Sequence, residues 1–86
     1  MALDDDFRAA QQSVQTLPRR PSNETLLELY SLFKQSTEGD LEGKRPGLLD
    51  LKGRAKYDAW AARKGLTVEA AKTQYVALVG KLLRGG

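Results

Sequence analysis

Apolar residues recur at helical spacing in separate stretches of the chain. The first stretch places them at intervals of three, four and three residues, at Phe7, Ala10, Val14 and Leu17. Residues at these intervals lie on one face of a helix, so the pattern predicts a first helix with an apolar side. Two prolines follow in the sequence LPRRP. Because proline cannot continue a helix interior, we expect the helix to end before them.

The second apolar stretch lies between residues that commonly start and stop helices. Ser22 or Asn23 can cap its first turn, because their side chains accept hydrogen bonds from free backbone amides. Gly39 provides a stop, since glycine readily adopts the left-handed conformation that ends many helices. The inward positions of this second helix are predicted to be Leu26, Leu29, Tyr30 and Phe33.

Two further helices are predicted in the second half of the chain. The third covers the sequence GRAKYDAWAARK, ends at Gly65 and is expected to place Ala55 and Trp60 in the core. The fourth follows a cap at Thr67, and its apolar stripe comprises Val68, Ala71, Tyr75, Leu78, Val79 and Leu82. No stretch alternates between apolar and polar residues with period two, so we predict an all-α protein of four helices.

The segment from Gly39 to about Leu51 separates the second and third helices and has no helical periodicity. Within it, the sequence RPGL at residues 45–48 has proline and glycine at the central positions of a type II turn. A connection of this length favours a crossing between helices that are not simple hairpin neighbours. Asp50, near its end, is expected to cap the third helix or to pair with Arg54.

Composition limits the functions that the chain can perform. The 86-residue length allows one domain, residues 1–86, with one modest core. The chain has no cysteine and no histidine, which excludes disulfides, the usual zinc sites and catalysis by serine–histidine or cysteine–histidine pairs. We therefore expect no catalytic residues, no bound metal and no enzyme activity. The N-terminal sequence MALDDDFRAA lacks the plan of a signal peptide, and no apolar run is long enough to span a membrane, so we expect a cytoplasmic protein.

Lys34 raises the question of a ligand. It lies one helical turn after Tyr30 and beside Phe33, at the edge of the apolar stripe. A buried lone charge is costly, so the ammonium group either reaches water or meets a negatively charged group. The net charge of +3 is a mild basic excess, which favours a small anionic ligand over a nucleic acid.

The stretch YSLFKQSTEGDLEGKRPGLLDLKGRAKYDAW, followed by Tyr75, resembles the acyl-CoA-binding protein family. The matching features are the tyrosine–xxx–lysine–glutamine start, the lysine–aromatic–xx–tryptophan end and, between them, Gly39-Asp40, Arg45-Pro46-Gly47 and Asp50. They occur in the family's order and spacing, and the resemblance extends over essentially the whole chain. It implies a four-helix bundle with up-down-down-up topology and a long overhand loop between helices 2 and 3.

The resemblance also implies a function, because members of this family are carriers and not enzymes. We expect the chain to bind long- and medium-chain acyl-CoA thioesters and to act as an intracellular acyl-CoA carrier or pool former, without catalysis. Fatty acyl-CoA is then a ligand, and no cofactor is expected. The protein is expected to be a monomer without a nucleic-acid partner and without stable membrane insertion, although it can contact membranes or enzymes transiently.

Site residues follow from the resemblance position by position. Tyr30, Lys34 and Lys56 match the family's contacts to the ribose 3′-phosphate. Phe33 matches the aromatic residue that stacks on adenine, and Tyr75 matches a ligand-facing tyrosine on the last helix. Lys52 matches another basic position near the ligand. The expected acyl-CoA-binding set is Tyr30, Ser31, Leu32, Phe33, Lys34, Lys52, Lys56 and Tyr75.

The chemistry of these residues agrees with a nucleotide site but also allows a purely structural role. A phenol and an ammonium one helical turn apart can converge on one phosphate, and Lys56 adds a second cation from another helix. Without the family resemblance, we would interpret Tyr30 and Phe33 as core residues, because aromatic residues at such helix positions more often pack in a core than contact a ligand. The acyl chain requires an apolar groove, for which Leu26, Leu27 and Val14 are candidates, although the same residues can simply form the core.

Some positions depart from the family, and one other function competes with the carrier hypothesis. Gln15 stands where the family often has lysine, Tyr57 replaces a tryptophan and Ser36 replaces an alanine. Arg19 or Arg20 can compensate for the charge missing at Gln15. The alternative is a small helical module that binds nucleic acid or protein through a basic patch. Its residues would be Arg19, Arg20, Lys52, Arg54 and Arg63.

Overall fold

The computed structural model describes residues 2–85, and these contain four α-helices and no strand. Helix α1 spans Ala2–Val14, α2 spans Asn23–Glu38, α3 spans Leu51–Ala61 and α4 spans Val68–Leu83. The prediction of an all-α protein with four helices is confirmed. Residues 1 and 86, which belong to the predicted domain, lie outside the described residues. None of the helices within residues 2–85 is both long and apolar enough to cross a membrane.

Side chains cap the beginnings of α2, α3 and α4. Each cap accepts a hydrogen bond from the backbone amide three residues later: Ser22 from Thr25, Asp50 from Gly53 and Thr67 from Ala70. Of the two candidates for α2, Ser22 is therefore the cap. Asp50 caps α3, whereas the Arg54 Nε atom donates to the backbone oxygen of Pro46 at 3.0 Å.

Helix α3 begins and ends earlier than the sequence predicts. Its predicted range was 53–64, but the Asp50 cap starts it at Leu51. After Ala61 the chain tightens, because the amides of Arg63 and Lys64 bond to oxygens three residues back. Gly65 then turns the chain at a φ of 89°.

The predicted type II turn at residues 45–48 is wrong. Gly47 is not among the glycines with positive φ, which this turn requires at its third residue. The turn lies two residues nearer α3, at residues 47–50, where the Asp50 amide donates to the Gly47 oxygen at 3.0 Å. The loop instead follows contacts to α3: the Tyr57 hydroxyl donates to the Gly43 oxygen, and the Arg45 guanidinium donates two hydrogen bonds to Asp58.

Contacts between the helices establish the direction of each. Asp4 pairs with Lys72 and the Phe7 ring packs on Tyr75, so α1 and α4 run parallel. Tyr30 meets Lys56 and Lys34 meets Trp60, so α2 and α3 also run parallel. Helices α2 and α4 run antiparallel, as Gln35 bonds to Leu66 while Phe33 lies near Tyr75. The predicted up-down-down-up topology with a long connection between α2 and α3 is confirmed.

The helices pack in the order α1–α4–α2–α3 within residues 2–85, so α3 occupies one edge. The molecule is correspondingly flat, with extents of 37 × 29 × 16 Å. The buried apolar residues come from the other three helices: Phe7, Ala10, Leu29, Leu32, Ala71, Tyr75 and Val79. The prediction that Ala55 and Trp60 belong to this core is wrong, because within residues 2–85 α3 packs on α2 alone, which leaves both residues only partly buried.

Candidate functional site

A groove of about 450 Å³ runs between the parallel helices α2 and α3. Residues that share one face of each helix line it, together with an arginine from the α1–α2 connection: Arg20, Asn23, Leu26, Leu27, Tyr30, Leu51, Lys52, Ala55 and Lys56. The leucines and the alanine provide apolar surface, and three cations stand among them. The groove therefore offers two kinds of chemistry, one for an apolar chain and one for an anion.

The two lysines at the α2–α3 interface each reach across to the opposite helix. The Lys56 Nζ atom lies 5.4 Å from the centre of the Tyr30 ring, and the Lys34 Nζ atom lies 5.0 Å from the centre of the Trp60 ring. Cations favour the faces of aromatic rings, which have negative electrostatic potential. Because Tyr30 and Lys34 are one turn apart on α2, these contacts place both ammonium groups along the same interface.

Ion pairing differs between the lysines of this site. Lys34 pairs with Glu38 on its own helix. The hydrogen bond that the Lys34 ammonium donates to the Glu38 carboxylate raises the pKa of Lys34 above its usual value, although partial burial opposes this. Within residues 2–85, Lys52 and Lys56 take part in no ion pair. These two cations are consequently available to an anionic ligand, while Lys34 must exchange one carboxylate for another anion.

Gln35 holds α3 in place against α2, a role that the sequence analysis missed. Its Nε2 atom donates to the Asp40 carboxylate and to the Leu66 backbone oxygen, both at 2.8 Å. Its Oε1 atom accepts from the Trp60 indole at 3.1 Å, and the same indole nitrogen donates to the Gly39 oxygen at 2.9 Å. Gln35 is completely buried, so these bonds satisfy a polar group that could not otherwise reach water.

Asp40 extends this network to the turn after α3. Its carboxylate accepts from the Gly65 amide at 2.9 Å as well as from Gln35. The Gly65 amide and then the Gln35 side chain lower the pKa of Asp40 below its usual value. The signal for both residues was present in the sequence, since the resemblance included the lysine–glutamine and Gly39-Asp40 pairs, but it did not indicate what they bond.

The remaining predicted site residues lie away from the groove lining. Ser31 and Leu32 are buried, and the Ser31 hydroxyl donates to the Glu28 oxygen and accepts from Arg63. Phe33 and Tyr75 form an aromatic cluster with Phe7 of α1. The ring centres in this cluster are separated by 5.2 to 6.4 Å. Burial raises the pKa of the Tyr75 hydroxyl. The structure thus places Tyr30, Lys52 and Lys56 on the groove lining and Lys34 beside it, against Trp60 at the same interface, whereas the other four pack in or against the core.

The structure separates the residues that were candidates for lining an apolar groove. Leu26 and Leu27 line it, and Leu26 also packs against the core, whereas Val14 packs against the core without lining the groove. Leu51 and Asn23 also line it and were not predicted. Their signal was weak, because Leu51 stood at the edge of an aperiodic segment and Asn23 was considered as a helix cap.

The basic patch of the alternative function is partly occupied by internal contacts. Arg54 donates to the Pro46 oxygen and Arg63 donates to the Ser31 hydroxyl. Arg20 and Lys52 line the groove instead of a flat surface. This arrangement leaves few of the five arginines and lysines for a shared nucleic-acid surface. Within residues 2–85, no cluster of three or more acidic side chains is placed to hold a metal ion.

Comparisons with known proteins agree with this architecture. The family model for Acyl CoA binding protein matches residues 4–79. An acyl-CoA-binding protein homolog of Drosophila melanogaster is 46% identical over 81 residues, covering 94% of each chain. Acyl-CoA-binding protein homolog 1 of Caenorhabditis elegans is 51% identical over 77 residues, covering 90% of each. The crystal structure of Oryza sativa Acyl-CoA-Binding Protein 2 superposes with a TM-score of 0.94 at 41% identity, covering 99% of this chain and 92% of that one.

The structural match shows the class of the protein, because its four helices form the same fold as a solved acyl-CoA-binding protein. The family model and the relatives then specify its membership: the chain belongs to the acyl-CoA-binding protein family. The family resemblance seen in the sequence is confirmed.

Proposed function

We propose that this protein binds acyl-CoA thioesters in the α2–α3 groove and carries them without catalysing a reaction. One observation supports this most directly: parallel packing of α2 and α3 places Tyr30, Lys34 and Lys56 together beside an apolar groove of about 450 Å³. A lipid thioester of a nucleotide has both a multiply charged end and an apolar chain. The groove presents a partner for each.

The nucleotide end binds the ammonium and hydroxyl groups at the interface. Lys34 and Lys56 donate to the ribose 3′-phosphate, and the Tyr30 hydroxyl adds a third donor. Lys52 and Arg20 lie in the same groove and provide further positive charge near the phosphates. Arg20 in this position compensates for Gln15, which is exposed beyond the end of α1. Phe33 is half-buried, and its exposed part provides the surface for adenine.

The acyl chain lies on the apolar part of the groove, against Leu26, Leu27 and Ala55. Each buried methylene adds about 0.8 kcal/mol, so affinity rises about fourfold per carbon until the groove is full. This rise accounts for a preference for medium and long chains. A carrier or pool-forming role, a monomeric state and a cytoplasmic location complete the proposal, and each follows what the family resemblance implies.

Ser31, Leu32 and Tyr75 contribute to this function through the backbone positions that they hold. Ser31 and Leu32 lie between Tyr30 and Phe33 on α2 and anchor that helix in the interior. Tyr75 packs behind Phe33 and supports its ring, with the two ring centres 6.4 Å apart. Their contact with the ligand remains a prediction.

Calorimetry with matched ligands tests the proposal. Palmitoyl-CoA is titrated into the protein beside free palmitate and free coenzyme A. We expect the thioester to bind far more tightly than either part, because only it uses both regions of the groove. Equal affinity for palmitate alone would contradict the nucleotide site, and equal affinity for coenzyme A alone would contradict the apolar groove.

A further inference from the structure

The large apolar side chains that remain exposed gather at one end of the molecule. Within residues 2–85 these are Leu48 at 75% exposure, Leu49 at 99%, Leu51 at 74% and Leu83 at 51%. Leu48 and Leu49 lie in the turn before α3, Leu51 is the first residue of α3, and Leu83 is the last residue of α4. Up-down-down-up topology brings the beginning of α3 and the end of α4 to the same end. We call this end, with its four leucines, the leucine end.

Positive charge accompanies these leucines. Arg20 lines the α2–α3 groove beside Leu51 and Lys52, and it also lines a second groove beside Arg19 and Leu82. The exposed cations at or near this end are Arg19, Arg20, Lys52, Lys81 and Arg84. Its exposed carboxylates are Glu24 and Asp50, and Asp50 is engaged in capping α3. The leucine end is therefore both apolar and basic.

The opposite end has the reverse character. At this end lie the start of α1, the ends of α2 and α3 and the start of α4. The exposed cation Lys64 is there, but exposed carboxylates predominate: Asp4, Asp5, Asp6, Glu38, Asp40, Glu42 and Glu69. The protein is consequently charged in opposite senses at its two ends despite a net charge of only +3. Such a molecule is oriented when it approaches an anionic surface.

We propose that the leucine end docks on the surface of an anionic lipid bilayer. Leu48 and Leu49 enter the boundary between headgroups and acyl chains, and the surrounding arginines and lysines meet the negative headgroups. Charge complementarity favours this occupant, because a second copy would bring two basic ends together. The apolar side chains of a turn also suit shallow insertion, since the helix beginnings behind them are already capped.

Docking in this orientation has a consequence for ligand exchange. Leu51 and Lys52 belong both to the leucine end and to the lining of the α2–α3 groove, so the groove opens where the protein meets the bilayer. An acyl chain can then pass between bilayer and groove along a continuous apolar path. This inference goes beyond the proposed function, and docking itself requires no bound ligand.

Flotation of the ligand-free protein with lipid vesicles tests the docking surface. Vesicles of phosphatidylcholine are used with and without phosphatidylglycerol, at low and high salt. We expect partitioning onto the anionic vesicles that weakens with salt. The double variant L48S/L49S is expected to lower the partition coefficient at least about tenfold, which corresponds to about 1.4 kcal/mol. These leucines are exposed, so the thermal unfolding of the variant should match the wild type.

Two double variants with the same net charge test whether the cations of the leucine end contribute more to vesicle binding than cations elsewhere on the protein. R19Q/R84Q removes two cations from the leucine end, and R8Q/K64Q removes two exposed cations elsewhere, with the same change in net charge. The first should weaken partitioning about tenfold, and the second should have less than about a threefold effect. Equal effects of the two pairs would overturn the proposal, as would unchanged partitioning of L48S/L49S.

Sedimentation of the same proteins without lipid tests whether a second copy of the chain covers the leucine end instead of a bilayer. A dimer that forms through the leucines and is lost in L48S/L49S, together with absence from anionic vesicles, would overturn the proposal in favour of a second copy. The experiments use no acyl-CoA, so failure of docking leaves the binding of acyl-CoA to be judged by calorimetry alone.

Discussion

The two sides of α2 are attached to the rest of the protein by different forces. On one side, α1 and α4 bury aromatic and aliphatic residues against it, including Phe7, Tyr75 and Val79. On the other side, α3 contributes no buried residue. It is held by directional hydrogen bonds, chiefly those of the Trp60 indole and the Arg63 guanidinium. Apolar packing therefore stabilises the fold, whereas hydrogen bonding sets the geometry of the groove.

The largest effect is expected on the packed side. Phe7→Ala removes a ring that contacts both Phe33 and Tyr75, and the cavity should cost about 3–5 kcal/mol of the free energy of unfolding. Urea denaturation followed by circular dichroism measures the loss. A loss below about 1 kcal/mol would show that the aromatic cluster is not a main source of stability.

The second largest effect is expected in ligand binding. Lys34→Ala removes one charge-assisted hydrogen bond to the proposed 3′-phosphate and should weaken palmitoyl-CoA binding by about 1.5–3 kcal/mol. Lys64→Ala, on the exposed turn after α3, is the matched control and should change affinity little. With a ligand that lacks the 3′-phosphate, calorimetry should show nearly the same affinity for Lys34→Ala as for the wild type. An equal loss with that ligand would contradict the assignment of Lys34.

A moderate effect is expected for the hydrogen bonds that hold α3. Trp60→Phe keeps an aromatic ring but removes the donor to Gln35 and Gly39, which should cost about 1–3 kcal/mol because Gln35 is buried. Palmitoyl-CoA binding should weaken as well, since α3 carries Lys52 and Lys56. Tyr57→Phe, which removes an exposed hydrogen bond on the same helix, is the control. Equal losses in the two variants would mean that the Gln35 network does not position α3.

A smaller effect is expected from the carboxylate that pairs with Lys34. Glu38→Gln removes a competitor for the lysine, so palmitoyl-CoA should bind up to about fivefold more tightly, in line with about 0.2–1 kcal/mol for an exposed pair. Glu42→Gln makes the same charge change without that contact and is the control. The gain should vanish in a Lys34→Ala background. A gain in affinity that persists in the Lys34→Ala background would show that Glu38 acts through long-range electrostatic repulsion of the ligand and not through Lys34.

The smallest effect is a dependence of stability on pH. The folded pKa of Asp40 is lowered by the Gly65 amide and by Gln35, so its contribution is present above the usual value of 3.8 and is lost as pH falls through the folded pKa. Urea denaturation of wild type and Asp40→Asn should show a difference at neutral pH that narrows on acidification. A difference that stays constant with pH would contradict this role for the carboxylate.

Local signals in the sequence were sufficient to locate the helices. Ser22, Thr67 and Gly39 act within a few residues of the helix ends that they define, so their effects can be recognised without a tertiary structure. The same is true of the apolar faces of α1 and α4, whose buried residues all lie at predicted positions. On α2 the prediction was less accurate, because Leu29 is buried as expected but Leu32 is buried without having been predicted. The Tyr30–Lys34 pair was also visible, because one helical turn separates its members.

Tertiary structure alone decided the rest of the site. Trp60 and Ala55 have the residue types of a core, yet among residues 2–85 α3 packs on one other helix alone, and no spacing within α3 could reveal this. The hydrogen bonds of Gln35 with Leu66 and Trp60 and the contact of Lys56 with Tyr30 each join residues distant along the chain. Sequence patterns report the conformation of neighbouring residues, whereas the groove and its charges arise from which helices lie side by side.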